Sequence, residues 1–373
     1  MPKLHCNEFL TTDYPLIVFE DNEVGRLKKQ VFDAKMPEIE AILKEYEIPS
    51  PSELGKAGSY IQSTPRAIQN AKRRKNDIVL IPVGTTENHG DHANSGLDNF
   101  MVTDICEAIR RYTAKEGHEI NIAAPPLNYG GHPYHHIGMP GTVMLPQEVV
   151  VETLIYVMLG LWNDGYRKQI IVNNHGHLWM LETALHEFLK RYQLPGIFQV
   201  LDWHRAVREF FIPIDRKDSL ETTFIHADES ETSVALLMYP DMIDMKYVKD
   251  ARGPSFLPEG HFDSSVDPWR RPHRWSEGEG HAAIERRGTP EGVVGEPSLA
   301  TAEKAKRPIA AILKYLTLVV DQILEVYPSG KLPPVDQITL RDPKELEPFL
   351  KEPFSPGWKS VFELPQIGPF MKG

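Results

Sequence analysis

From residue 76 the chain alternates short apolar runs with longer stretches of helical spacing. "DIVLIPVG" (77–84) is rich in Val and Ile, as expected of a strand buried on both faces. "NFMVTDICEAIRRYTAKEG" follows with helical periodicity, then a second strand over 119–125, in "INIAAPPL", running into "YGGHPYHHIGMPGT". "PQEVVVETLIYVMLGLWNDG" predicts a second helix that stops at Gly165. A third strand (169–173, in "KQIIVNN"), a third helix ("LWMLETALHEFLKRYQ") and a fourth strand (197–201, in "GIFQVLDW") complete the series. Strands alternating with helices in this way predict βαβ units, hence an α/β protein whose parallel sheet carries helices on both faces.

The flanking regions read differently. Residues 1–75 are polar, with one amphipathic helical stretch near Asn22–Tyr46 and the loop "PSPSELGKAGS", and read as an N-terminal helical extension on the core. A helix is expected over Ser230–Leu237. A Gly/Pro-rich stretch from Ala251 to Gly295 is too long for an idle connection and is expected to border a site. A last long helix spans Thr301–Tyr327, so the main domain reads as 76–327 and the Pro-rich tail as 328–373, packed over the surface or a neighbouring subunit.

Charge narrows the function. The formal net charge of −11 argues against nucleic acid as a partner, because phosphate binding needs a basic face. The basic run Lys72–Lys75 reads as a solvated segment end. Two cysteines, Cys6 and Cys106, make no disulfide framework and suit a reducing compartment. The start lacks signal-peptide patterning, and no apolar run reaches the roughly 18 residues that span a bilayer. The expectation is a cytoplasmic protein without membrane partners.

Four polar clusters follow the predicted strands. Glu87, His89, His92 and Asp98 follow the first; His132, His135 and His136 the second; His175 and His177 the third; His226, Asp228, Glu229 and Glu231 come after the fourth. Ligands bind at the carboxyl ends of parallel strands, so this topology would gather all four at one edge. Glu87/His89 and His175/His177 are i, i+2 pairs, which share one side of an extended segment. Each cluster alone reads equally as a polar loop, a packed histidine or a helix cap. Their coincidence favours a metal centre of imidazole and carboxylate, suited to zinc or manganese rather than calcium, and the lack of cysteine argues against a closed structural zinc site.

The clusters also resemble the creatininase (creatinine amidohydrolase) family of metal-dependent hydrolases. "PVGTTENHGDHANSGLD" (82–98) is similar to its "PVGSxEQHGPHLPxxTD", and "YGGHPYHHIGMPGTVML" to its "YGxSxxHxxFPGTxxL", which places His136 on the motif's histidine. "VNNHGHL" resembles "xNGHGGN", "HADESETS" resembles "HAGxxETS", and "GVVGEPSLATAEKAK" (292–306) is similar to the closing motif. The resemblance covers about 76–327. It implies a three-layer α/β/α fold with a mostly parallel sheet, a binuclear site with two divalent ions (Zn2+ and/or Mn2+), and a homo-oligomer, often hexameric.

By the same resemblance Glu87, Asp98 and His175 would hold one ion, with Asp98 bridging. His89 and Asp98 would hold the second, completed either by His177, the expected ligand, or by Glu231. His226 is the expected proton carrier, with His136 orienting the substrate. Trp179, Trp203 and His273 are expected to contact a small cyclic polar substrate. Hydroxide drawn from metal-bridged water would attack a carbonyl. The long chain, "HGH" for "HGGN", and the loop at 261–287 look most like the branch that hydrolyses 3-dehydro-scyllo-inosose, a cyclic diketone of inositol breakdown. A creatinine, lactam or formamide amidohydrolase is the alternative within the enzyme class, and a non-catalytic metal-binding protein the alternative outside it.

Overall fold

The computed structural model describes residues 9–48, 60–123, 129–131, 138–252 and 289–367. The chain opens with a short antiparallel hairpin, β1 (Phe9–Thr11) and β2 (Val18–Glu20). Two helices follow, α1 (Glu23–Asp33) and α2 (Met36–Tyr46), where the sequence predicted one continuous stretch. Pro37 explains the break: within an unbroken helix its ring would meet the carbonyl of Asp33, whereas in the first turn of α2 its missing N–H costs nothing. α3 (Arg66–Lys75) is a polar helix that ends in the basic run. That run is a solvated segment end only in part: Arg74 and Lys75 are exposed, and the other two are not. Lys72 pairs with Glu119 at 2.7 Å, Arg73 is buried against Glu352, and the cations complement the carbonyl end of the helix.

The core alternates as expected: β3 (Ile78–Val83), α4 (Leu97–Lys115), β4 (Asn121–Ile122), α5 (Gln147–Asn163), β5 (Lys168–Asn173), α6 (Leu178–Tyr192), β6 (Ile197–Asp202) and the short α7 (Trp203–Ala206). These strands form one parallel sheet in the order β4-β3-β5-β6. The strand expected over 119–125 shows as these two residues, and 124–128 lie outside the described residues. Every side chain of β3 and β5 is buried, including Lys168, whose ammonium is neutralised by Asp77 at 2.5 Å.

Period-two alternation sends Ile78, Leu80, Ile170 and Val172 to one face of the sheet, and Val79, Ile81, Val83 and Ile171 to the other. The first face packs against α4, α8 (Glu229–Met238) and α9 (Ala302–Val326), with α1 and α2 outside them; the second packs against α5 and α6. The result is three layers, α/β/α. Arg307 of α9 donates to the carbonyls of Val31 and Phe32 (3.2 Å each) and Ala34 (2.5 Å), capping the end of α1 and tying it to the core. The C-terminal segment, with α10 (Val335–Ile338) and α11 (Pro343–Leu350), crosses the second face, where Trp162 Nε1 donates to Phe349 O at 3.0 Å.

Register positions the site. Val83 pairs with Asn173 and Asn173 with Asp202, so β3, β5 and β6 end level. The chain leaves β3 towards β4 on one side and returns to β5 on the other, which opens a crevice beyond the carboxyl ends of β3 and β5. Among the described residues no helix is long and apolar enough to cross a membrane.

Candidate metal centre

Three segments converge on that crevice. The loop after β3 turns on Asn88, whose Oδ1 accepts the N–H of Gly90 at 2.8 Å; Gly90 takes φ +78, a region open to glycine. His89 Nδ1 lies 3.0 Å from Glu87 O, so it is the protonated nitrogen and Nε2 presents its lone pair. Asp98 falls in the first turn of α4, where the helix dipole favours its negative charge. His92 Nε2 meets Thr232 Oγ1 at 3.0 Å and ties this loop to α8.

After β5, Asn173 holds the turn by donating to Asp202 Oδ2 (2.9 Å) and His175 O (2.6 Å). The third segment starts α8. Asp228 caps it by accepting from Ser230 N (2.9 Å) and Glu231 N (3.1 Å), and Glu231 Oε2 accepts the N–H of Ala227 at 2.5 Å. Ala227 has φ +48, a left-handed conformation uncommon for a residue with a side chain, held between His226 and this cap.

His175 Nδ1 lies 2.9 Å from Asp98 Oδ2 and 3.1 Å from Glu87 Oε2. His89 Nε2 lies 3.5 Å from Asp98 Oδ1 and 3.7 Å from Glu231 Oε2. Two three-residue groups follow, Glu87–Asp98–His175 and His89–Asp98–Glu231, each with ligand atoms within 4.8 Å of one another. A third, Glu87–His89–His226, overlaps both.

All these residues are buried. His89 Nε2 makes no hydrogen bond among the described residues, and Asp98 Oδ2 has the imidazole of His175 beside it at 2.9 Å. A lone pair on His89 faces two carboxylates in a dry pocket, an arrangement that calls for a cation. Burial opposes protonation of His89, but Asp98 and Glu231 reverse this and raise its pKa. Burial likewise opposes ionisation of Asp98, yet His175 and His89 hold its carboxyl well below the usual carboxylate range. Burial pushes Glu231 up to about 8, opposed by His89 and reinforced by the charges of Asp98 and Asp228. The imidazole–carboxylate donor set and the unbonded His89 Nε2 fit divalent cations.

His177 belongs to none of these groups. It sits at the N-cap of α6, fully buried, its ring perpendicular to that of His175 and filling the space above Gly130, where a Cβ would approach its Nδ1 to 2.5 Å. Trp203 is fully buried, and Trp179 is 37% exposed at the start of α6. His132, His135, His136 and His273, with the loop at 261–287, lie outside the described residues. Asn174 and Thr232, which touch the site's residues directly, carry no ligand chemistry and escaped the sequence reading.

Trp203 stacks on His204, which also lies against Phe211 and Phe224. Burial lowers the His204 pKa to about 4. A histidine depressed in the folded state is held neutral, so the unfolded chain binds more protons between about pH 6.5 and 4. The contribution of His204 to stability is therefore full above pH 6.5 and falls by about 3 kcal/mol on acidification to pH 4, with His92, lowered likewise to about 4, adding a limb of the same sign. His204→Phe should flatten that limb in denaturant titrations of the metal-free protein; an unchanged slope would show that another group sets it.

A family model described as creatinine amidohydrolase matches residues 62–320. The chain belongs to the creatininase family. It is 41% identical over 305 residues, 82% of this chain and 96% of the relative, to the 3-dehydro-scyllo-inosose hydrolase of Thermotoga maritima. It is 26% identical over 208 residues, 52% of this chain and 76% of the relative, to the creatinine amidohydrolase of Pseudomonas putida. A solved structure described as "Creatininase Mn" is similar with a TM-score of 0.53 at 20% identity, covering 73% of this chain and 100% of that one, which supports the fold. As a creatininase family member the chain is a hydrolase, and the crevice beyond β3 and β5 holds the residues that can bind its metal.

Proposed function

We propose that this hydrolase opens 3-dehydro-scyllo-inosose, a cyclic diketone, with two divalent cations, Zn2+ and/or Mn2+, that Asp98 would help to hold. The observation that carries the reading is the 41% identity to the Thermotoga maritima hydrolase, which spans nearly that whole relative. The buried carboxylate–imidazole cluster supports the cations. Glu87, Asp98 and His175 would hold one, and His89, Asp98 and Glu231 the other. When bound, the pair supplies Lewis-acid polarisation of a substrate carbonyl and lowers the pKa of water beside it.

The chain's own residues do the rest. Water adds to one carbonyl carbon, the bond from that carbon to its ring neighbour breaks, and the departing carbon takes a proton while the carbonyl carbon becomes a carboxylate. The second carbonyl stabilises the departing carbon as an enolate. His226 is the proton carrier: its Nε2 lies 2.8 Å from Asn88 O and donates to it, which leaves Nδ1 as acceptor, 3.9 Å from Glu87 Oε2. Burial of the cluster excludes bulk water and strengthens each of these interactions. His136, Trp179 and His273 remain assigned to substrate contact by their motifs and neighbourhood.

The test is a side-by-side assay of the metal-loaded protein on 3-dehydro-scyllo-inosose, creatinine and formamides. The diketone should be preferred in kcat/KM by about 10²-fold or more. Preference for creatinine would move the chain to the amidohydrolases. We also assign it to the cytoplasm as a homo-oligomer, hexameric by the family resemblance, which light scattering on the purified protein checks.

A further inference from the structure

Asn174 follows β5 directly, its backbone N–H bonded to Val83 O at 3.0 Å. Its side chain spans two partners. Oδ1 accepts the indole N–H of Trp203, and Nδ2 donates to Asp98 Oδ1 at 3.0 Å. An indole can only donate, so the amide cannot flip: its oxygen is committed to Trp203 and its NH2 to Asp98. Trp203 is itself immobile, fully buried and packed between His204 and Phe211. The "xNGHGGN" motif that this segment resembles carries glycine where Asn174 stands, and glycine has no side chain to reach a carboxylate.

We infer that Trp203 and Asn174 form a positioning relay that fixes the rotation of the shared carboxylate of Asp98. With one oxygen held by Asn174, the carboxylate plane is set so that Oδ1 faces His89 while Oδ2 faces His175, and Asp98 reaches both three-residue groups. Trp203 belongs to none of those groups and acts only through the amide. The inference rests on the reading of this cluster as a metal centre and not on the identity of the substrate.

The experiment is chelator competition for Zn2+ or Mn2+ at fixed pH on the full chain, comparing wild type, Trp203→Phe, Asn174→Ala and the double variant. Each single variant should weaken the affinity about tenfold or more, the scale at which hydrogen-bond partners of ligands act. The double variant should match Asn174→Ala within about twofold, because Trp203 has nothing left to act on. A purely structural role for Trp203 would instead add its loss to that of Asn174→Ala. Melting of the four metal-free proteins, with Asn174→Leu as a second variant of similar volume, separates misfolding from lost affinity. Wild-type affinity in Trp203→Phe, or additive losses, overturns the relay and leaves the hydrolase reading standing. A wild-type chain that binds neither ion overturns both.

Discussion

Asp98→Ala is expected to lose both ions and all measurable turnover while the fold persists. Asp98 is common to Glu87–Asp98–His175 and His89–Asp98–Glu231, with one oxygen facing each imidazole. Removing a single preorganised donor at a reacting oxygen costs about 10²–10³ in rate. On the proposed reading the group that would join two cation sites disappears, so the loss should exceed about 10³-fold. The fold should survive, because the deletion removes one of several carboxylates crowded in a buried pocket. The melting transition of the metal-free variant should stay within about 4 °C of metal-free wild type. Elemental analysis gives the count: none for Asp98→Ala, one for Glu231→Ala, two for His177→Ala. Two ions retained by Asp98→Ala would refute the shared carboxylate, and one ion in His177→Ala with two in Glu231→Ala would exchange those residues' roles.

The contrast between Glu231 and His177 shows where sequence pattern stops informing. Two residues apart on an extended segment point the same way, which made His175 and His177 look like paired ligands. The segment is not extended there. His177 N donates to His175 O at 2.8 Å and the chain turns straight into α6, so the two rings stand perpendicular. Glu231 reaches the site because Ala227 adopts a left-handed turn before α8, a backbone feature that no residue type in "HADESETS" announces. By contrast Glu87, Asp98 and His175 meet because parallel strands end level, and the uninterrupted apolar runs of β3 and β5 made that topology legible.

The same division holds for the fold. α5 and α6 carry apolar periodicity and were visible; α3, with six of its ten residues Arg, Lys, Gln or Asn, was not, because ion pairs to Glu119 and Glu352 hold it down rather than an apolar stripe. The three-residue strands β1 and β2 are too short for alternation to register. Asn174 stayed hidden for another reason, and Trp203 was expected beside the substrate rather than behind an amide. An amide next to a strand end has no ligand chemistry of its own, and its value appears only once Asp98 and the indole are seen on either side of it.

His226→Ala is expected to retain both ions and to lose about 10²–10⁴ in kcat, the range for a proton carrier at a reacting group. His226 lies at the edge of the cluster, with Nδ1 3.9 Å from Glu87 Oε2, a longer approach than either contact of His175. Its other nitrogen is anchored on Asn88 O, in the loop that also carries Glu87 and His89, so the imidazole is oriented by the segment that supplies ligands. The backbone of His226 pairs with Val294 in an isolated antiparallel bridge, which fixes the position from a third segment. On the proposed reading such a residue would move a proton beside the cations without holding them. The overlapping group Glu87–His89–His226 makes the alternative concrete. If His226→Ala loses one ion along with its rate, the imidazole is a ligand. If it keeps both ions and full turnover, the proton travels by another route.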